Sequence, residues 1–137
     1  MAGTVHNVIT RRQFIFSNVS ASNYLEIPLV RAIEVSDAKA IDVVVRVHAL
    51  TVSSTATITI RTRAVSLTSE EPDVDFTNST ELGTVTLDTT VTAPALVLGS
   101  LTAPWGHMIR MVVRGTQPGA AVTLTATLSI DLVLRDN

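Results

Sequence analysis

The chain has 137 residues, a formal net charge of −2 and no cysteine. Its length predicts one domain that buries a core without disulfides, and its charge gives no attraction to nucleic acid or an anionic membrane. No run approaches the roughly 18 apolar residues of a membrane span. The N-terminal residues lack the basic region followed by an apolar run that is typical of a signal peptide, so we expect none.

The first half of the chain predicts five strands. Gln13–Phe16, Tyr24–Ile27 and Arg31–Val35 are short apolar or alternating segments, whereas Ala40–Thr51 and Ala56–Leu67 alternate over a longer stretch. A period of two is typical of a strand with one buried and one solvated face. Because a short polar turn separates the last two strands, we expect them to pair as a β-hairpin.

The second half predicts three shorter strands and one long one. Glu81–Leu87, Ala95–Leu98 and His107–Gly115 precede Ala121–Arg135, in which apolar and polar residues alternate and Val133 alone breaks the pattern. Thr, Val and Ile make up about a third of the chain, and β-branched residues favour strands. Together, the segments predict an all-β protein, an antiparallel two-sheet β-sandwich of about eight strands, with the jelly roll as the expected topology.

Residues with metal-binding or catalytic potential are sparse. The acidic segment between the strands could offer oxygen ligands to calcium, through Glu70, Glu71, Asp73 and Asp75. Its spacing is not that of an EF-hand, and a solvated loop explains it equally. His6, His48 and His107 share no metal-ligand spacing, and no serine lies in a G-x-S-x-G elbow. We therefore predict no enzyme activity and no cofactor.

Arginine is the dominant cation, with nine arginines and one lysine. Arg61 and Arg63 share one strand face, as do Arg110 and Arg114, and Arg46 lies on the face of an earlier strand. Exposed strand faces can use such residues for cross-strand ion pairs. Arginine is also enriched at protein interfaces because its planar fork binds carboxylates. These five arginines are our predicted interface residues.

Two aromatic residues define an alternative function. Trp105 in the A-P-W-G turn either fills the core or is exposed as an anchor, and Tyr24 is the only tyrosine. An exposed aromatic pair would fit a carbohydrate-binding β-sandwich module. A cupin-like enzyme is a third alternative, although it would need clustered His and carboxylate ligands.

The C-terminal third, SLTAPWGHMIRMVVRGT followed by AAVTLTATLSIDLVLRD, resembles the C-terminal hairpin of small jelly-roll proteins of bacteriophage virions, the capsid decoration and tail accessory proteins. The resemblance rests on strand pattern, abundant Thr and Val, scarce lysine and absent cysteine. It implies a virion component without an active site, which binds itself and other particle proteins. Residues 1–12 would then form a flexible arm that orders on binding, ahead of a single domain over residues 13–137.

Overall fold

The computed structural model describes residues 3–21, 24–35, 38–53, 55–65, 81–103, 105 and 108–135. These residues form eight strands and no helix. The strands are β1 (Gly3–Val19), β2 (Leu25–Glu34), β3 (Ala40–Thr51), β4 (Thr57–Val65), β5 (Glu81–Leu87), β6 (Ala95–Ser100), β7 (Met108–Thr116) and β8 (Val122–Arg135). In this described part of the chain, no helix is long and apolar enough to cross a membrane.

The strands form two four-stranded antiparallel sheets, in the orders β1-β8-β3-β6 and β2-β7-β4-β5. Each strand lies in the opposite sheet from the one before it, except β5, which follows β4 in the same sheet and pairs with it. Two such sheets with crossing connections form the jelly-roll sandwich that the sequence predicted. The predicted fold class is therefore confirmed.

The core lies between the sheets, and the alternation of each strand decides what it contributes. In β8, the residues facing inward are fully or almost fully buried, namely Leu124, Ala126, Leu128, Ile130 and Leu132. Val133, which broke the sequence pattern, lies on the other side of the strand and pairs with the exposed Val5 of β1. Phe14 and Phe16 stack with ring centroids 6.4 Å apart and fill the same interior.

Glycines set how closely the two sheets approach. A Cβ on Gly115 of β7 would lie 2.7 Å from Cγ of Phe16, and one on Gly99 of β6 would lie 2.6 Å from Cγ2 of Val85 in β5. At contacts this short, any side chain larger than hydrogen would force the neighbouring residue to shift. The second of them closes one side of the sandwich, where the edge strands of the two sheets meet.

Two predicted pairings were wrong. The hairpin expected for β3 and β4 does not form, because β3 pairs with β6 and β8 whereas β4 pairs with β5 and β7. Likewise, β7 and β8 lie in different sheets and are not a hairpin. Both connections cross between the sheets, and Gln117 Nε2 donates to Ser53 Oγ (3.1 Å), which ties the two connections together.

The N-terminal residues and the second strand also differ from the expected boundaries. The sequence assigned residues 1–12 to a flexible arm, whereas Gly3–Arg12 continue β1 along β8, starting with Gly3 opposite Arg135. The two short segments predicted around Pro28 are one strand, β2, which tolerates the proline because it lies at the edge of its sheet.

Candidate interaction surfaces

Four of the predicted interface arginines lie together on the outer face of the β2-β7-β4-β5 sheet. In the antiparallel register, Arg63 is opposite Arg110, while Arg61 and Arg114 lie opposite Val112 and Thr59, respectively. The sequence placed each pair on one strand face. Only the pairing of β4 with β7, which are not consecutive, brings the two pairs onto one surface. We name these four residues the arginine cluster.

Carboxylates from the two edge strands of this sheet neutralise part of the arginine cluster. Glu81 Oε2 lies 2.7 Å from Arg61 Nη2 and 3.9 Å from Arg63 Nη2, and Glu26 Oε2 lies 2.6 Å from Arg114 Nη2. The guanidinium groups of Arg61, Arg63 and Arg114 thus each have an intrachain ionic partner in their own sheet, which is the cross-strand arrangement expected for opposite charges.

The electrostatics of Glu81 reflect these contacts. Burial by itself raises the pKa of the Glu81 carboxyl, but the hydrogen bond from Thr84 and the charges of Arg61 and Arg63 outweigh it. The pKa of Glu81 is therefore lowered from its ordinary value, and the carboxylate stays ionised beside the arginines at neutral pH.

The arginine cluster is largely shielded from solvent within a single chain. Arg110 is 4% exposed and Val112, between the arginines in the sheet, is 3% exposed. The side chains of Arg61, Arg63 and Arg114 retain only 21%, 15% and 18% of their exposure. A partner that bound to this face would therefore bury little additional surface of the four arginines.

Arg46 is separate from the arginine cluster. It lies on the outer face of the other sheet, opposite Leu96 of β6 and Ser129 of β8, and it is exposed. The five predicted residues therefore belong to two surfaces on opposite sides of the sandwich.

The two aromatic residues do not form a joint platform. Trp105 is 7% exposed and belongs to the hydrophobic core, so its ring is not presented to a sugar. Tyr24 is 54% exposed, but the Arg114 guanidinium lies 4.2 Å from its ring centroid and occupies one ring face. Carbohydrate platforms need open aromatic faces, and this pair supplies at most one.

The candidate metal and catalytic groups are also dispersed. Glu70, Glu71, Asp73 and Asp75 lie outside the described residues, and among the described residues no three His, Asp or Glu side chains are grouped to hold a metal ion. A serine and a histidine do meet in the described part of the chain, where His48 Nε2 lies 2.8 Å from Ser129 Oγ, but this contact has a structural role. The same hydroxyl accepts a hydrogen bond from the Arg11 backbone N–H (2.9 Å).

That contact supports a bulge in β1. Arg11 has a positive φ of 46°, and the β1–β8 register shifts between Ile9 and Arg12. The Ser129 hydroxyl satisfies a backbone N–H that the displaced register removes from the ladder. His48 and Ser129 thus hold the irregular strand in place across three strands of one sheet.

An apolar surface that sequence reasoning missed lies on the outer face of the β1-β8-β3-β6 sheet. Val5 is 66% exposed, Leu96 56% and Leu98 66%, and Leu98 lies opposite the half-buried Val44. A depression of about 400 Å³ beside Leu98 opens widely to solvent and is lined by Asp42, Val44, Leu98, Gly99, Ser100 and Val133. We name Leu96, Leu98 and Val44 the leucine strip.

The sequence did carry a signal for the leucine strip. The segment ALVLGS of β6 contains no charged residue, which is unusual for a strand that a solvated face and a sheet edge both expose. The signal could not be interpreted from the sequence, because nothing there identifies β6 as an edge strand.

No protein-family model matches this sequence, and no curated protein sequence is significantly similar to it. Solved structures do share its fold. A VP2 subviral particle of infectious bursal disease virus has a TM-score of 0.55 at 14% identity, covering 98% of this chain and 33% of that one.

Two further structures of the same virus give similar values. The Gx strain has a TM-score of 0.54 at 14% identity, covering 96% of this chain and 31% of that one. The T=1 particles derived from a VP2 mutant give 0.52 at 13%, covering 98% and 32%. At these identities the likeness establishes the fold, and the chain spans about a third of the length of the proteins that it matches.

Proposed function

We propose that this protein is a structural component of a virus particle, which acts by binding copies of itself and other particle proteins rather than by catalysis. The observation that carries the proposal is the sheet topology. The two sheets have the orders β1-β8-β3-β6 and β2-β7-β4-β5. This fold aligns over 96–98% of the chain with structures of infectious bursal disease virus, including a VP2 subviral particle. Those proteins are viral capsid proteins.

The two cavities lined by the residues that the structure describes favour contact over chemistry. Between β5 and β6, the cavity lined by Val43, Ile60 and Val85 measures about 10 Å³, which is room for about one water. The larger depression at Leu98 is shallow and open, whereas small-molecule sites bury most of their ligand. Neither offers an enclosed place for a substrate.

Within this role, we propose a capsid decoration or tail accessory protein of a bacteriophage, found in the virion. Support comes from the sequence resemblance of the C-terminal third to such proteins.

The test is the solution mass of the purified chain by light scattering over a concentration series, together with negative-stain electron microscopy of the concentrated sample. We expect a discrete oligomer or a particle. A monomer at every concentration would contradict the proposal. Glycan binding that is lost in Tyr24→Ala would replace it with a carbohydrate-binding function.

A further inference from the structure

We propose that the small cavity between β5 and β6 is a hydration site, which binds one water molecule at the hydroxyl of Thr62. The cavity measures about 10 Å³, which is room for about one water. Polar cavities of this size hold water, whereas apolar ones stay dry. The inference concerns how the two sheets are joined at this edge, and it is independent of how the chain assembles.

The hydroxyl of Thr62 needs a hydrogen-bond partner that the protein does not supply. Thr62 faces the interior, because it alternates along β4 with Arg61 and Arg63, which lie on the outer face. Its side chain is 1% exposed, and its Oγ1 is buried without a partner in the part of the chain that the structure describes. A buried hydroxyl in this state is costly. Since Thr62 also lines the cavity, a water there satisfies it.

The other two hydroxyl groups that line the cavity already donate elsewhere. Ser100 Oγ donates to Asp42 Oδ1 (3.0 Å), and Thr84 Oγ1 donates to the carboxylate of Glu81. A hydroxyl has one hydrogen, so neither group has a second one to donate into the cavity. Among the described residues that line the cavity, Thr62 therefore has the one side-chain hydroxyl that is free to donate to a water.

The backbone of β6 supplies a second partner for the water. The Leu101 N–H donates to the Ile41 carbonyl of β3 (3.0 Å). Because the C=O and N–H of one trans peptide point in opposite directions, the Ser100 carbonyl points away from β3. It faces Gly83 of β5, where an added Cβ would lie 3.2 Å from the Ser100 oxygen. Both Gly83 and Ser100 line the cavity, so a water there can donate to this carbonyl.

The β4–β5 ladder is irregular at the same place. Its register shifts between Thr62 and Arg63, and such a bulge takes backbone groups out of the ladder. Beside the bulge, the Leu82 carbonyl accepts a hydrogen bond from the Thr102 N–H (3.0 Å), just beyond the end of β6. A water held by Thr62 and the Ser100 carbonyl adds a second link between the two sheets at this edge.

The variant Thr62→Val tests the site, because valine keeps the shape of threonine and removes the hydroxyl. If the hydroxyl binds a water, the variant loses that hydrogen bonding, and we expect the equilibrium constant of unfolding in urea to rise about fivefold. If the hydroxyl is buried without any partner, valine instead removes an unsatisfied polar group and stabilises the fold. An unchanged or lowered unfolding constant would therefore overturn the proposal.

The matched control is Thr86→Val, the same change at an exposed position of β5, which we expect to alter the unfolding constant by no more than about twofold. High-resolution crystal structures then locate the water directly. We expect an ordered water within hydrogen-bond distance of Thr62 Oγ1 and the Ser100 oxygen in the wild type and in Thr62→Ser, and none there in Thr62→Val. A Thr62 hydroxyl bonded directly to a protein atom, or a water that persists in Thr62→Val, would show that the assigned site is wrong.

Discussion

The buried side-chain amide of Gln117 allows a test of how the connection after β7 is held against the connection after β3. Gln117 is 6% exposed and makes three side-chain hydrogen bonds. Its Oε1 accepts from Thr55 Oγ1 (2.6 Å) and from the Gly119 N–H (3.2 Å), and its Nε2 donates to Ser53 Oγ (3.1 Å). The connection after β7 is thereby fastened to the connection after β3.

We expect Gln117→Leu to lower the free energy of unfolding by about 2 kcal/mol. Each buried hydrogen bond contributes roughly 1 kcal/mol, so three give about 3 kcal/mol. Thr55 and Gly119 are exposed residues, and water can recover part of their bonding. The substitution roughly preserves side-chain size, so the loss reports hydrogen bonding rather than a cavity.

The assay is equilibrium unfolding in urea, followed by fluorescence of Trp105, the only tryptophan and a buried one. The matched control is Gln13→Leu, the same change at an exposed position of β1, which we expect to shift stability by no more than about 0.5 kcal/mol. A Gln117→Leu variant as stable as this control would refute the reasoning. A double-mutant cycle with Thr55→Val should show a coupling of about 1 kcal/mol.

Two further predictions test packing and charge. Gly115→Ala puts a Cβ 2.7 Å from Phe16 and should destabilise by about 1–3 kcal/mol in urea unfolding. Gly119→Ala, whose nearest atom is 3.9 Å away, should have almost no effect, and equal losses in both would contradict the steric argument. Because the pKa of Glu81 is lowered, its stabilisation exists above the ordinary pKa and disappears as pH falls through the lowered one. Glu81→Gln should therefore cost up to about 1 kcal/mol at pH 7 and progressively less as the pH falls below the ordinary pKa of a glutamate. A loss that is constant with pH would exclude the ion pair with Arg61 as its cause.

The sequence predicted which arginines share a strand face, but not which strand faces lie side by side. The alternation in β4 and β7 placed Arg61 with Arg63 and Arg110 with Arg114, because side-chain direction along a strand is a local property. That these two pairs meet, and that Arg46 lies on the opposite sheet, depends on strand order. The burial of Trp105 likewise depends on how the chain that precedes β7 packs against the core.

The failed hairpins have the same origin. Two alternating strands with a short polar connection have the same local pattern whether the chain returns in one sheet or crosses to the other. In β3 and β4 it crosses, because each strand finds partners that are remote in sequence. The sequence by itself determined the strands and their inward faces, since burial and a period of two act within each segment. Only the tertiary structure decided which strands are neighbours and which are edges. The arginine cluster and the exposed edge of β6 arise from that long-range pairing.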